Sequence, residues 1–185
     1  MATASPSAST APDLKTLWPR LALAFAVVGV LGSLYLSLGM ELKACPLCFY
    51  QRAFIMAAAA ILVFGLFMED IPNAVLAPLA LAPASAGACV AVWHTYLDWN
   101  GTLECPLGVT GVLVVPRESL IIYVALLAFL LIDLFHQRRY VLQGLGALLL
   151  GFVFASTSIR ATPPAPTQPA PAPLDGCRKA MPQKT

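Results

Sequence analysis

Cys45 and Cys48 stand in Ala44-Cys45-Pro46-Leu47-Cys48-Phe49-Tyr50-Gln51-Arg52, a short gap between two long apolar runs. A C-x-x-C pair holds two sulfurs close enough to form and break a disulfide within one turn, and that geometry tunes thiol acidity. At a membrane edge such a pair can meet soluble thiols on one side and a lipid-soluble electron carrier on the other. A structural disulfide or half of a metal site is the plainer reading of the spacing, although a structural metal site wants four clustered ligands.

The elements that must position this pair follow from composition. The 185 residues are 59% hydrophobic and 11% charged, against roughly a quarter charged in soluble domains. This composition describes an integral membrane protein, long enough for one small helical bundle. A net charge of +2 without a basic cluster excludes a nucleic-acid partner. Five cysteines are too few for a disulfide scaffold.

Five apolar runs approach the roughly 20 residues needed to cross a bilayer. They cover about 21–38, 49–68, 74–93, 119–135 and 141–159, and together with their connections make a transmembrane helical bundle over 18–160. Gly144, Gly146 and Gly151 in the fifth run suit close helix packing. Residues 1–17, rich in Ala, Ser, Thr and Pro, are expected to be a disordered arm, and the Pro-rich residues 161–185 a flexible tail.

Five crossings sort the cysteines. The C-x-x-C, the 94–118 loop and the tail fall on one side of the membrane, so Cys45, Cys48, Cys105 and Cys177 share a face and Cys89 lies inside the third helix. Counting Lys and Arg near helix ends gives nearly a draw between the two orientations. Redox chemistry favours placing the cysteines outside the cytosol, where disulfides persist.

Cys-Pro-Leu-Cys-Phe-Tyr-Gln-Arg between helices one and two resembles the signature of the DsbB family, the disulfide bond formation B proteins. The resemblance covers about 18–136. It implies an all-α membrane protein, a DsbB-like four-helix transmembrane bundle, here with a fifth transmembrane helix. It implies a place in the bacterial inner membrane with the redox cysteines facing the periplasm. It also implies a quinone cofactor, ubiquinone or menaquinone, with Arg52 and His94 binding near its head group, and no metal. The expected partners are membrane lipid, the quinone pool and a periplasmic thioredoxin-fold dithiol oxidase of the DsbA kind.

One departure stands out. Family members usually carry their second cysteine pair within the loop between helices three and four, whereas this loop holds Cys105 alone. The extra helix returns Cys177 to the same face, so Cys105–Cys177 is expected to replace the usual loop pair. Cys45, Cys48, Cys105 and Cys177 are then the catalytic set. Electrons would run from the carrier dithiol through Cys105–Cys177 to Cys45–Cys48 and on to quinone. Two other classes compete with this oxidase: a non-catalytic DsbB-like scaffold subunit in a larger membrane complex, and a thiol-based handler of Cu(I) or zinc.

Overall fold

A computed structural model describes residues 14–68, 72–165 and 174–179. The 1–13 part of the expected arm, the 69–71 part of the acidic turn and most of the tail lie outside the described residues. Five long helices dominate: α1 (Leu14–Leu38), α2 (Pro46–Phe67), α3 (Leu76–Trp99), α4 (Val115–His136) and α5 (Val141–Arg160). Each contains a segment long and apolar enough to cross a membrane. The chain is a multi-pass all-α membrane protein.

α3 is the centre of the bundle. Ala77, Ala80, Leu81, Ala84, Ala88 and Ala91 along it are buried, and α2, α4 and α5 pack around it. Its many alanines let neighbouring backbones come close, which is how helices associate where lipid supplies no hydrophobic drive. α1 closes the four-helix group against α2 and α4, while α5 lies outside, chiefly on α3. Gly151 makes that seam tight: a Cβ there would come within 2.6 Å of the Ala82 carbonyl and overlap the Ser85 hydroxyl. Gly144 meets Leu134 in the same way, whereas Gly146 faces open space and has no part in the seam.

Two helices start earlier than the apolar runs, for a common reason. Proline has no N–H to leave unpaired and its fixed φ suits the first helical turn. Pro46 opens α2 and Pro116 lies in the first turn of α4. Cys45 becomes the N-cap of α2, its sulfur accepting the Cys48 N–H at 3.3 Å. The C-x-x-C is therefore the first turn of a helix rather than a loop before one. α1 likewise begins at Leu14, inside the segment expected as an arm.

Residues 174–179 of the tail are tied down. β1 (Leu103–Glu104) pairs antiparallel with β2 (Arg178–Lys179). Arg178 holds Glu104 at 2.8 Å and Lys43 holds Asp175 at 2.8 Å. The Lys43 N–H also donates to the Asp175 carbonyl, and a Cβ on Gly176 would approach the Lys43 carbonyl within 2.9 Å. Composition promised an open tether; backbone pairing and charge make residues 174–179 a strap across the mouth of the bundle.

Candidate functional site: a thiol cluster around His94

Four sulfurs converge on one imidazole. His94, fully buried near the end of α3, places Nε2 3.8 Å from Cys45 Sγ, 3.4 Å from Cys105 Sγ and 3.5 Å from Cys177 Sγ. Cys105 and Cys177 are joined by a disulfide, their Cα atoms 4.2 Å apart. Cys45 and Cys48 are free, their sulfurs 3.1 Å apart. The functional atoms of Cys45, Cys48, His94 and Cys177 all lie within 4.8 Å of one another. Cys89 is free and half-buried in α3, outside this group.

Each sulfur arrives by a different route: Cys45 from the cap of α2, Cys48 from its first turn, Cys105 from the end of β1, and Cys177 from the strap that β2 anchors. The cluster is shielded, since Cys105 and Cys177 are only 7% and 8% exposed. Arg178 and Glu104, which clamp the strap, are each the immediate sequence neighbour of a disulfide cysteine.

The His94 ring is oriented from behind. The Gln51 side-chain amide lies 3.3 Å from Nδ1, and the Ser119 hydroxyl donates to the Gln51 side-chain oxygen. With its oxygen occupied, Gln51 presents its NH₂ to Nδ1, so the neutral imidazole carries its proton on Nε2. That N–H faces the three sulfurs. The Tyr123 hydroxyl, from α4, donates to the Gln51 backbone carbonyl and pins α2 at this level. At the helix cap, the hydrogen bond with the Cys48 thiol, helped by His94, holds the Cys45 thiol well below the usual cysteine value against the opposing effect of burial. A helix N-terminus adds a favourable dipole for a thiolate.

Cys48 faces a second feature. A cavity of about 370 Å³ opens between α1, α2 and α4, lined by Cys48, Arg52, Gly32, Ser33, Ile122 and, from the loop before α4, Pro106 among others. Arg52 is fixed in its wall: Nε donates to the Ser33 hydroxyl at 2.8 Å, and Nη2 to the Ser33 carbonyl at 2.9 Å and the Ser37 hydroxyl. Glu118 orders the loop by accepting the N–H groups of Val109 and Thr110. His94 is not among the lining residues, so the two residues expected beside one head group part company. Arg52 goes to the cavity and His94 to the sulfurs.

Sequence reading assigned nothing to Gln51, Ser119, Ser33 or Ser37. Their signal was present as polar residues in otherwise apolar runs, which in a membrane bundle must find partners.

The family model described as disulfide bond formation protein DsbB matches residues 15–119, more than half of the chain. The chain belongs to the DsbB family. Disulfide bond formation protein B of Herminiimonas arsenicoxydans is 36% identical over 73 residues, which cover 40% of this chain and 46% of that protein. Probable disulfide formation protein C 1 of Bacillus anthracis is 36% identical over 67 residues, covering 36% of this chain and 46% of that one. The match thus spans about half the length of these curated relatives. No solved structure matches the chain. Cys45, Cys48, Arg52, His94 and Cys105 of this DsbB-family chain fall inside the matched residues; Cys177 and all of α5 fall beyond them.

Proposed function

We propose that the chain is a membrane thiol oxidase, which takes two electrons from a partner dithiol outside the cytosol and delivers them to quinone. One observation carries the reading: Cys48 lines an apolar cavity whose wall also holds the fixed Arg52 and Cys177 of the outer disulfide, and the sulfurs of Cys45, Cys48 and Cys177 lie within 4.8 Å of one another around His94. The C-x-x-C therefore joins the outer disulfide to the cavity. The cavity suits a quinone head group in size, in its largely apolar walls and in setting the Arg52 guanidinium and the Cys48 thiol in one wall. Cys48 and Arg52 would hold that group, which would supply the acceptor for the two electrons and two protons of the Cys45–Cys48 dithiol.

The sulfur steps balance as follows. A thiolate of the partner attacks Cys105 Sγ, breaking the Cys105–Cys177 bond and releasing Cys177 as thiolate. Cys177 attacks Cys45 of the oxidised Cys45–Cys48 pair, and Cys48 leaves as thiolate beside Arg52. The second thiol of the partner then frees Cys105, and the partner departs with its disulfide. Cys105 attacks Cys177 in the Cys177–Cys45 bond, remaking the outer pair and leaving Cys45 reduced. Exchange of this kind is fastest when the leaving sulfur is stabilised as thiolate. The His94 Nε2–H reaches Cys45, Cys105 and Cys177, and can serve each as it leaves.

The partner that fits is a thioredoxin-fold dithiol oxidase of the DsbA kind, the compartment is the periplasm, and the membrane is the bacterial inner membrane. Cys105 and Cys177 are both buried, so the strap must lift for the partner to reach them. The test is quinone reduction by the purified protein supplied with a reduced dithiol carrier. Cys45→Ser and Cys48→Ser should each abolish turnover while leaving the helices folded. Normal turnover in Cys48→Ser would refute the oxidase.

A further inference from the structure

The same cluster has the composition of a metal centre. A tetrahedral zinc site with Zn–S near 2.3 Å and Zn–N near 2.0 Å has ligand edges of about 3.8 Å between sulfurs and about 3.5 Å between sulfur and nitrogen. Here Cys45 Sγ is 3.8 Å and Cys177 Sγ 3.5 Å from His94 Nε2, and Cys45 Sγ is 3.1 Å from Cys48 Sγ. No pair among these four ligand atoms exceeds 4.8 Å. Shifts of about an ångström would bring all four onto one ion. What prevents this is the Cys105–Cys177 bond, since a disulfide sulfur is not a thiolate ligand.

We propose that reduction of both cysteine pairs creates a site for a zinc-class cation, with Cys45, Cys48, Cys177 and His94 as its ligands. The inference rests on the relay reading in one respect: that reading names the partner dithiol that reduces the outer pair. No redox step occurs on the metal. Whichever of the three sulfurs still carries a proton loses it to solvent as the ion binds. Three thiolates and a divalent ion leave one net negative charge, with the Arg52 guanidinium on the neighbouring turn of α2 to balance it. The occupied site holds three of the four sulfurs that the relay must move, so a thiophilic cation arrests the protein in its reduced state, while the oxidised protein ignores it.

The second shell has the means to follow. Metal on Nε2 moves the imidazole proton to Nδ1, which then needs an acceptor. A rotation of the Gln51 amide supplies its oxygen, and the Ser119 hydroxyl, which accepts as readily as it donates, takes the turned NH₂. Glu at position 51 would offer a permanent acceptor. Gln51→Glu should therefore tighten zinc binding, while slowing sulfur exchange by turning the Nε2–H away from the sulfurs.

The experiment is metal retention by full-length protein in detergent micelles. Protein fully reduced with a phosphine and stripped with chelator is given zinc chloride, desalted and assayed by elemental analysis; a Co²⁺ parallel reads tetrahedral thiolate coordination from its absorption spectrum. Reduced wild type and Cys89→Ser should each keep one equivalent, and oxidised wild type none. His94→Ala should weaken binding at least tenfold, and Cys45→Ser/Cys48→Ser should abolish it. Equal retention by oxidised protein, or no more retention in reduced wild type than in the double serine variant, overturns the site. Quinone turnover measured in metal-free buffer judges the relay separately: its absence there counts against the oxidase reading and leaves the retention result standing.

Discussion

Gln51 and His94, one turn into α2 and near the end of α3, are coupled through a 3.3 Å contact between the amide of one and Nδ1 of the other. Sequence places them 43 residues apart, yet the first decides which nitrogen of the second carries the proton. Gln51→Leu would keep the bulk and lose that control. Exchange between the cysteine pairs, followed by quenched-flow alkylation, should slow by roughly tenfold, the worth of one buried hydrogen bond to an ionised group. Unchanged exchange would separate His94 from the sulfur chemistry.

Gly32 offers a clean probe of the cavity. It lines the chamber, and a Cβ placed on it would meet nothing within 4 Å. Gly32→Leu should improve helix propensity by up to about 1 kcal/mol while filling the space beside Cys48. Quinone reduction should fall at least tenfold, with disulfide exchange and thermal stability intact. Undiminished turnover would move the acceptor elsewhere.

Arg52→Met should damage quinone use far more than exchange with the dithiol partner, because Arg52 lines the cavity whereas the sulfurs exchange around His94. Arg52→Lys should rescue only in part: the charge remains, but one ammonium cannot reproduce the fork that meets Ser33 and Ser37. Separate assays of the half-reactions check this, and equal damage to both would assign Arg52 to the fold.

The strap should respond to charge. Glu104→Arg alone sets two cations together beside the outer disulfide and should speed its reduction by a soluble thiol severalfold; adding Arg178→Glu should restore protection. Acid should act in the same direction. The Lys43 ammonium hydrogen-bonds Asp175 and holds its carboxyl below the ordinary value, while Lys43 itself is raised by the same partner. The contribution of Asp175 is thus complete above the ordinary carboxylate range and is lost as pH falls through its depressed value. Both partners are solvent-exposed, so the effect should be modest. Rates of reduction by a phosphine, which needs no thiolate, compared between pH 7 and pH 3 in wild type and Lys43→Gln will show it.

Gly151→Leu should lift α5 from α3, since the added side chain has to displace Ser85 and the Ala82 carbonyl. The consequence to measure is at a distance: a falling fraction of Cys105–Cys177 disulfide in non-reducing mass spectrometry, with the four-helix group still assembled.

Hydropathy alone made the five helices and the shared face of four cysteines legible, because crossing a bilayer demands long apolar runs and parity then sorts the loops. The family pattern singled out Arg52 as a head-group residue, and the structure sets it in the wall of a cavity. What sequence could not show was His94 among the sulfurs. A histidine at a helix end reads the same whether it turns toward lipid, cavity or thiol, and the choice is made by Gln51 and Ser119 on two other helices. The ordered strap escaped for a similar reason. Its anchors are a two-residue strand and two ion pairs, Arg178–Glu104 and Lys43–Asp175, which have no periodicity to detect.

The disulfide between Cys105 and Cys177 encloses α4 and α5 within a separation of 72 residues. During synthesis Cys45, Cys48 and Cys105 emerge long before their fourth companion, and the ring cannot close until the last helix has threaded the bilayer. A chain short of that crossing therefore carries Cys105 without its partner, whatever the state of Cys45–Cys48. Maturation becomes its own checkpoint: the appearance of the outer disulfide marks the molecules whose membrane insertion is complete.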